Sequence, residues 1–538
     1  IIKRFKELTG HEVLWIPGTD HAGIATQNKV EKELLEKNIK KEDLGKDRFI
    51  EEVWKWKEKH GDIILNQIKE LGASCDFNKQ RFTLDKEYEK LVKDSFLKLY
   101  KDGVIYKSNY LINFCPRCKT ALADDEVEDV EYQDYLYYLK YLIEGKNKEY
   151  LTIATTRPET VFGDTGVAYH PDHKHLYQGM KVKPPLTFNY VPLVPSNSVH
   201  KDFGTGLVKV TPSHDKNDFK TGVENSLPFK TVIDDDNKMM NTCHLSLDGL
   251  ETGKARDLVV KYMDKESLIV KKEPRTNSYK ACYRCNTETI EKVSDQYFVK
   301  MKDMAKKVLE KIDSQEIDIT PKSNFNSYRH WLENCRDWCI SRNIWWGHKI
   351  PLFKCDTCNQ ITENSICEKC KTHNQEEDFT LDTWFSSWLW SYGNMKDEDF
   401  DKFYPCDFLT TGADIMYFWV ARMIMASIYF KNSVPFRTVY LHGIVRDGKG
   451  EKMSKSKGNV LDPKEIIKSH SSDILRFTLA FNTPYGEDIQ ITDKTFELGT
   501  TFLTKFWNFI RYCFSNLEKG VKQTKPDFID NYFKYQTN

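Results

Sequence analysis

The spacing of apolar positions changes along the chain, and each change marks a change of architecture. Ile1 to Leu8 reads as an amphipathic helix, and the unbroken run Val13-Leu14-Trp15-Ile16 follows until Pro17-Gly18 stops it. A short apolar run closed by a glycine turn predicts a strand, and in α/β proteins ligands sit beyond the carboxyl ends of such strands. Phe49 to Leu71 reads as a helix, with Ile64, Ile68 and Leu71 opposite charged positions. From about Tyr132 the pattern shortens to strands, including Leu151-Thr-Ile-Ala-Thr-Thr and Gly206-Leu-Val-Lys-Val-Thr, broken by Pro and Gly turns. Helical spacing returns after Cys285, with strand-like runs at Ile344-Trp-Trp-Gly and Thr438-Val-Tyr-Leu-His-Gly-Ile-Val, and from Asp473 the chain is mainly helical. The prediction is an α/β fold, a doubly wound Rossmann-type domain split by an inserted β-rich module. Its first half covers 1–132 with a cysteine knuckle and the insertion 133–283. The second half covers 284–472 with a cysteine ribbon at 355–370, a connecting region 473–498, and the start of a helical domain at 499–538.

Length and composition narrow the class. At 538 residues the chain exceeds what one core supports, so several modules are expected. With 40% hydrophobic and 13% aromatic residues it is neither wholly disordered nor membrane-spanning. The most apolar stretch, Ile415 to Phe430, holds Arg422 and is flanked by Asp414 and Lys431, which predicts a buried helix. The chain opens on Lys3, Arg4 and Lys6 without the layout of a secretion signal, so a cytoplasmic location with no membrane partner is expected. Eighty basic and eighty acidic residues balance, so any RNA contact must be local and patterned rather than a matter of bulk charge.

Eight of the fourteen cysteines form four Cys-x-x-Cys pairs, which in a reducing compartment reads as zinc rather than disulfide. Cys355, Cys358, Cys367 and Cys370 are close enough in sequence to supply four thiolates to one tetrahedral ion, and the polar neighbours Lys354, Asp356, Asn359 and Lys369 weigh against plain buried thiols. Cys115 and Cys118 stand far from Cys282 and Cys285, but the two pairs flank the insertion, where a second zinc can clamp the neck. Cys335, Cys339 and Cys513 read as ordinary core residues. The segment Gly448 to Asn459 sets several ammonium groups on a glycine-bounded loop after a strand; such a loop can close over a polyphosphate, and by itself it is as easily a solvated turn.

Lys452-Met453-Ser454-Lys455-Ser456 matches the KMSKS signature letter for letter, and with Leu441-His442-Gly443 upstream the chain resembles the class I aminoacyl-tRNA synthetases. Within that class it is similar to the valyl branch. The resemblance lies in Pro17-Gly-Thr-Asp20-His21-Ala-Gly-Ile-Ala-Thr-Gln27, Asp337-Trp-Cys-Ile-Ser-Arg-Asn-Ile-Trp-Trp-Gly-His-Lys-Ile-Pro, Leu381-Asp-Thr-Trp-Phe-Ser-Ser-Trp-Leu-Trp and Phe418-Trp-Val-Ala-Arg-Met-Ile-Met. It runs along essentially the whole chain.

The resemblance implies activation of valine by ATP with Mg2+, transfer to tRNA(Val), and hydrolysis of mischarged threonyl-tRNA(Val). Lys452 and Lys455 would stabilise charge on the departing pyrophosphate. The loop residues Met453, Ser454 and Ser456, with His442, Gly412 and Asp414, would hold ATP, the last three near adenine and ribose. Asp20 would meet the valine ammonium, although an Asx turn beside a glycine is the alternative reading. Trp384, Ile415 and Trp419 would wall a pocket that excludes isoleucine by bulk; on pattern alone they are core residues. Inside the insertion, Ala154-Thr-Thr156-Arg157-Pro-Glu-Thr160 and the segment from Phe203 to Asp218 resemble the family's editing site. There Asp215 would hold the ammonium, and Thr211 and Asp218 would lie near the threonine hydroxyl or water. Arg157 and Lys209 would contact the terminal adenosine or its phosphate, with Thr156, Thr160 and Phe203 completing the site. Otherwise these are the polar residues of β-turns.

Against the family pattern, the His-Ile-Gly-His segment belongs upstream of residue 1, only the start of the anticodon-binding bundle is present, and the C-terminal coiled coil is missing. The expectation is a fragment with weak adenylate formation and weak tRNA affinity, monomeric as the family usually is. An isoleucyl or leucyl relative shares the fold and the lysine loop. A catalytically silent zinc-ribbon RNA-binding protein also fits, though Asp20, Asp215, Lys452 and Lys455 weigh against it.

Overall fold

The computed structural model describes residues 1–538 apart from 202–203, 245, 454–458, 493 and 517–538. Its body combines two sheets. Strands Asp318–Thr320, Phe436–His442 and Cys406–Gly412 lie parallel in that order, with the apolar segment 413–431 crossing over between the last two in sequence. Strands Trp338–Cys339, Ile290–Val299, Ile105–Cys115 and Thr120–Leu122 form an antiparallel sheet. One core gathers Phe96, Ile105, Tyr297, Val299, Tyr328, Trp388, Ile424 and Val439, so helices and both sheets bury against each other.

Two long strands, Val127–Ile143 and Ile269–Cys282, leave and re-enter the body side by side, paired antiparallel from Val127 opposite Cys282 to Leu139 opposite Ile269. They lead into a seven-stranded sheet with strands Tyr150–Thr155, Gly166–Tyr169, Lys181–Lys183, Val191–Pro195 and Leu207–Val210, covered by helices Lys216–Glu224 and Thr252–Lys265. The inserted β-rich module therefore exists, and it is not loosely tethered. Its core residues Tyr137, Val161, Val232 and Val259 share one cluster with Ile112, Phe114, Ile290 and Phe298 from the outer face of the body sheet.

Several local expectations fail. Val13–Ile16 is not a strand: the ladder begins only at Gly18–Thr19, parallel to Arg81–Phe82, while the carbonyls of Trp15 and Pro17 accept from the amides of Asp76 and Arg81 at 2.9 and 3.2 Å. Pro17 has no amide to give, so the run cannot donate a full ladder. Ile344–Gly347 is coil with Ile344 and Trp346 buried, because the Gln27 side-chain oxygen takes the amides of Trp345 and Trp346 at 2.9 and 3.3 Å in place of a partner strand. Helix Lys46–Glu70 buries Phe49, Val53 and Leu65, leaving Ile64 half exposed. The segment 413–431 is long and apolar enough to cross a membrane by composition, yet residues 421–428 are all buried in the body core, as a core helix requires. It starts with a 3-10 turn, Ala413–Ile415, and a π turn, Met416–Val420, before the α-helix Ala421–Lys431.

Candidate active site and cysteine clusters

Asp20 lies just past the carboxyl end of Gly18–Thr19, where Gly18 is required because a Cβ there would fall 2.0 Å from the Trp390 ring. One Asp20 oxygen accepts the backbone N–H of Ala22, so the Asx turn is real, and it holds Ala22 in left-handed backbone at φ 48°. The other oxygen accepts from Ser387 Oγ at 2.6 Å, so turn and site share one carboxylate. Protein surrounds Asp20 on most sides although solvent still reaches it; that desolvation raises its pKa against the hydrogen bonds from Ser387 and Ala22. The carbonyl of Ser387 also accepts from Trp419 Nε1 at 3.0 Å. Trp384, one turn earlier on helix Thr383–Ser387, packs its ring 5.5 Å from that of Phe418 on the π turn. Asp20, Ser387, Trp384 and Trp419 thus meet at one place, and half-buried Ile415 ends the 3-10 turn that leads into the π turn. A π turn inside a helix is uncommon and frequent at functional sites.

Gly412 and His442 are cross-strand neighbours at the carboxyl ends of two parallel strands. A Cβ on Gly412 would meet Asp414 Oδ1 at 2.5 Å and His442 Cε1 at 3.9 Å, so the three residues form one open cradle. Lys452 Nζ stands 3.6 Å from Asp414 Oδ2, bringing the lysine loop to the cradle's edge with half-buried Met453 behind it. Ser454, Lys455 and Ser456 lie outside the described residues.

In the insertion, Thr211 is the pivot. Its Oγ1 donates to Asp164 Oδ1 at 2.7 Å and its amide to Asp218 Oδ2 at 2.8 Å. Lys209 turns inward, its ammonium 3.2 Å from Asp164 Oδ1, and Tyr141 donates to the other Asp164 oxygen at 2.7 Å. Burial pushes the Asp164 carboxyl up against the pull of Lys209, and pushes Asp218 well above the ordinary carboxyl range, with Asp215 adding like charge. Asp215 is exposed and caps helix Lys216–Glu224 through the amides of Asn217 and Asp218 at 2.8 and 3.0 Å. Thr160 donates to the Arg157 carbonyl at 2.9 Å, and Arg157 reaches the His214 carbonyl at 3.4 Å. Half-buried Thr156 directly precedes Arg157 in sequence, and Phe203 lies outside the described residues. Asp164 and Tyr141 were not singled out by sequence reasoning; a lone Asp after a glycine and a Tyr in a strand carry no pattern that separates them from turn and core. His214 joins module to body, with Nε2 accepting the Val232 amide at 2.9 Å and Nδ1 donating to the Glu291 carbonyl at 3.0 Å, a tautomer that leaves it neutral.

The eight paired cysteines converge in two groups: Cys115, Cys118, Cys282 and Cys285, and Cys355, Cys358, Cys367 and Cys370, with sulfurs all within 4.8 Å in each. Cys115 and Cys285 sulfurs are 3.4 Å apart and Cys358 and Cys367 sulfurs 3.7 Å, close to the edge of about 3.8 Å of a zinc–thiolate tetrahedron and far beyond a disulfide of about 2.05 Å. All four knuckles are built alike. The residue after each pair, Lys119, Asn286, Asn359 or Lys371, has positive φ and donates its amide to the first cysteine's carbonyl at 2.8 Å. The donor sets fit zinc. A cavity of about 570 Å³ is lined by Tyr110, Phe298, Trp331, Trp338, Arg422 and Lys216, the last being the first residue of the helix that Asp215 caps.

The sequence model of the family described as tRNA synthetases class I (I, L, M and V) matches residues 1–492. Among curated proteins, the chain is 43% identical over 553 residues to the valine–tRNA ligase of Carboxydothermus hydrogenoformans, covering 100% of this chain and 63% of that one. It is 44% identical to the valine–tRNA ligase of Thermotoga maritima, covering 100% and 64%. The chain thus spans less than two thirds of the length of these relatives. A solved Mycobacterium tuberculosis methionyl-tRNA synthetase bound by methionyl-adenylate aligns at 15% identity and a TM-score of 0.48, over 92% of this chain and 62% of that one, a likeness that carries no argument.

Proposed function

Because the chain belongs to the class I tRNA synthetases of the isoleucine, leucine, methionine and valine group, we propose that it is the central part of a cytoplasmic enzyme that activates valine with ATP and Mg2+. That enzyme then joins valine to tRNA(Val) and hydrolyses threonine wrongly attached there. The observation that supports the amino-acid reading is the Asp20 carboxylate bound by Ser387, whose carbonyl in turn accepts from Trp419 and whose helix carries Trp384. A carboxylate beside large apolar side chains suits an α-ammonium with a small branched side chain next to it.

Valine's carboxylate attacks the α-phosphate of ATP. The Gly412–Asp414–His442 cradle holds adenine and ribose, and Lys452 and Lys455 meet the charge that grows on the departing pyrophosphate. Zinc in each cysteine cluster supplies structural cross-linking and takes no part in the chemistry. A pocket fitted to valine rejects threonine weakly, since a hydroxyl replaces a methyl with little change in shape; this pair is the standard illustration of that limit. A second, hydrolytic site answers it. In the insertion Asp215 binds the ammonium, while Thr211 and Asp218 address the threonine hydroxyl or water. Arg157 from the rim and Lys209 from the floor face the terminal adenosine or its phosphate, with Thr156 and Thr160 close by in the fold and Phe203 assigned to the same site from the sequence. In this reading residues 1–132 and 284–472 activate valine, 133–283 edit, 473–498 meet the acceptor stem and 499–538 begin the anticodon-binding domain.

The test is release of amino acid from threonyl-tRNA(Val) and valyl-tRNA(Val) by the chain. Threonine released, valine spared, and release abolished in Asp215→Ala is the expected result. Equal release of both would sink the editing assignment, and ATP–pyrophosphate exchange favouring isoleucine or leucine over valine in the full-length enzyme would sink the specificity.

A further inference from the structure

Glu159, on the 3-10 turn Pro158–Gly163, is fully buried, and two guanidinium groups share it. Arg256, on helix Thr252–Lys265, takes both oxygens fork on fork, with Nη2 to Oε1 at 3.0 Å and Nε to Oε2 at 2.9 Å. Its Nη1 donates to Asp134 Oδ2 at 2.8 Å and to the Tyr132 hydroxyl at 3.3 Å, which ties it to the neck strand. Arg157 reaches Glu159 only through Nε at 3.3 Å and the His214 carbonyl through Nη1 at 3.4 Å, and its side chain stays 34% exposed. Burial alone would push the Glu159 carboxyl up; Arg256 and then Arg157 more than offset it, so the group is held ionised. A buried carboxylate left uncompensated draws in whatever cation is within reach. Among the described residues the other guanidinium on it is that of Arg157, and the short contacts are already taken by Arg256.

We propose that Arg256 is a positioning residue. By taking the short contacts of Glu159 it leaves the Arg157 guanidinium only long ones there, so that its partly exposed end can bind the phosphate or terminal adenosine of a misacylated tRNA. This rests on reading the insertion as the hydrolytic site. Remove Arg256 and Glu159 recaptures Arg157, so substrate binding falls while the hydrolytic groups around Thr211 are untouched.

The experiment is steady-state hydrolysis of threonyl-tRNA(Val) by the whole chain. Arg256→Gln should raise KM about tenfold, the order expected for one lost charge-assisted contact, with kcat within about twofold. Adding Glu159→Gln removes the charge that captures Arg157, so the double variant should return KM to within about threefold of the unaltered chain. A residue that merely stabilised the fold would lower the folded, active fraction and with it the apparent kcat, and would leave KM unmoved. Should Arg256→Gln not fold, Arg256→Lys, which keeps the charge and loses the fork, is expected to give an intermediate KM. An unchanged KM in the single variant, or a double variant no better than the single, overturns the proposal while leaving the hydrolytic reading intact. No threonine release by the unaltered chain overturns both.

Discussion

Asp218 shows how a single side chain is set by its surroundings. It accepts one backbone amide, from Thr211, and is otherwise crowded by protein and by Asp215, so its carboxyl keeps a proton at pH values where a free Asp has lost it. The folded state therefore binds more protons than the unfolded state above the ordinary Asp pKa, and stability falls as pH rises towards the raised value. Asp218→Asn keeps the acceptor and removes the titration. Its thermal midpoint minus that of the unaltered chain should grow from pH 5 to pH 8; a difference constant with pH would show that Asp218 is ionised in the fold. Residue types in local clusters made much of this site legible: Thr211, Asp215 and Asp218 sit within eight positions of one another, and the structure brings them together. Asp164 was not legible. Its partners Tyr141 and Lys209 come from strands 23 and 45 positions away, and no local pattern encodes that meeting.

At the level of elements, the cysteine knuckles were the best-defined feature, because ligand spacing and the positive-φ turn after it are both local. The strands misread at Val13 and Ile344 failed for the opposite reason: a side chain or a bare carbonyl satisfies the backbone there, a detail that hydrophobic pattern does not contain, and Trp15 even stays exposed. The two cysteine clusters also differ in what they tie together. The neck cluster joins residues 170 positions apart, whereas the ribbon joins residues 9 apart. Loop-closure entropy grows with the logarithm of loop length, so losing the neck cross-link should destabilise the chain by about 2.5 kcal/mol more than losing the ribbon one. Urea unfolding of Cys282→Ser against Cys367→Ser measures this, alongside zinc released to a chromophoric chelator, expected at about two equivalents from the unaltered chain and one from each variant. One equivalent from the unaltered chain, unchanged in Cys282→Ser, would mean that the neck cluster holds no ion.

Across the whole molecule, three buried imidazoles join parts distant in sequence. His21 donates or accepts at Thr83 and faces His348 edge-on at 5.1 Å, and His214 bridges insertion and body. Burial pulls His21 and His214 down to about 4 and His348 well below its ordinary value. Lowered in the fold and ordinary when unfolded, each contributes stability that is fully present above about pH 6.5 and lost as pH falls towards 4. Near pH 5 the three together should steepen the fall by up to about 4 kcal/mol per pH unit, at about 1.4 for each group. Denaturant midpoints between pH 7 and 4.5 test it, and His214→Gln should flatten the curve by about one third.

The shared core between insertion and body has a consequence in time. Strand Ile105–Cys115 has an early neighbour only at its carboxyl end, in Thr120–Leu122; its partner along most of its length, Ile290–Val299, is made about 190 residues later, which at the usual pace of synthesis is a wait of roughly 10–40 s. For that interval the guest can finish folding before its host, and the host's first long strand stands on the ribosome with one edge open, the stage at which a chaperone or a stray strand would find it.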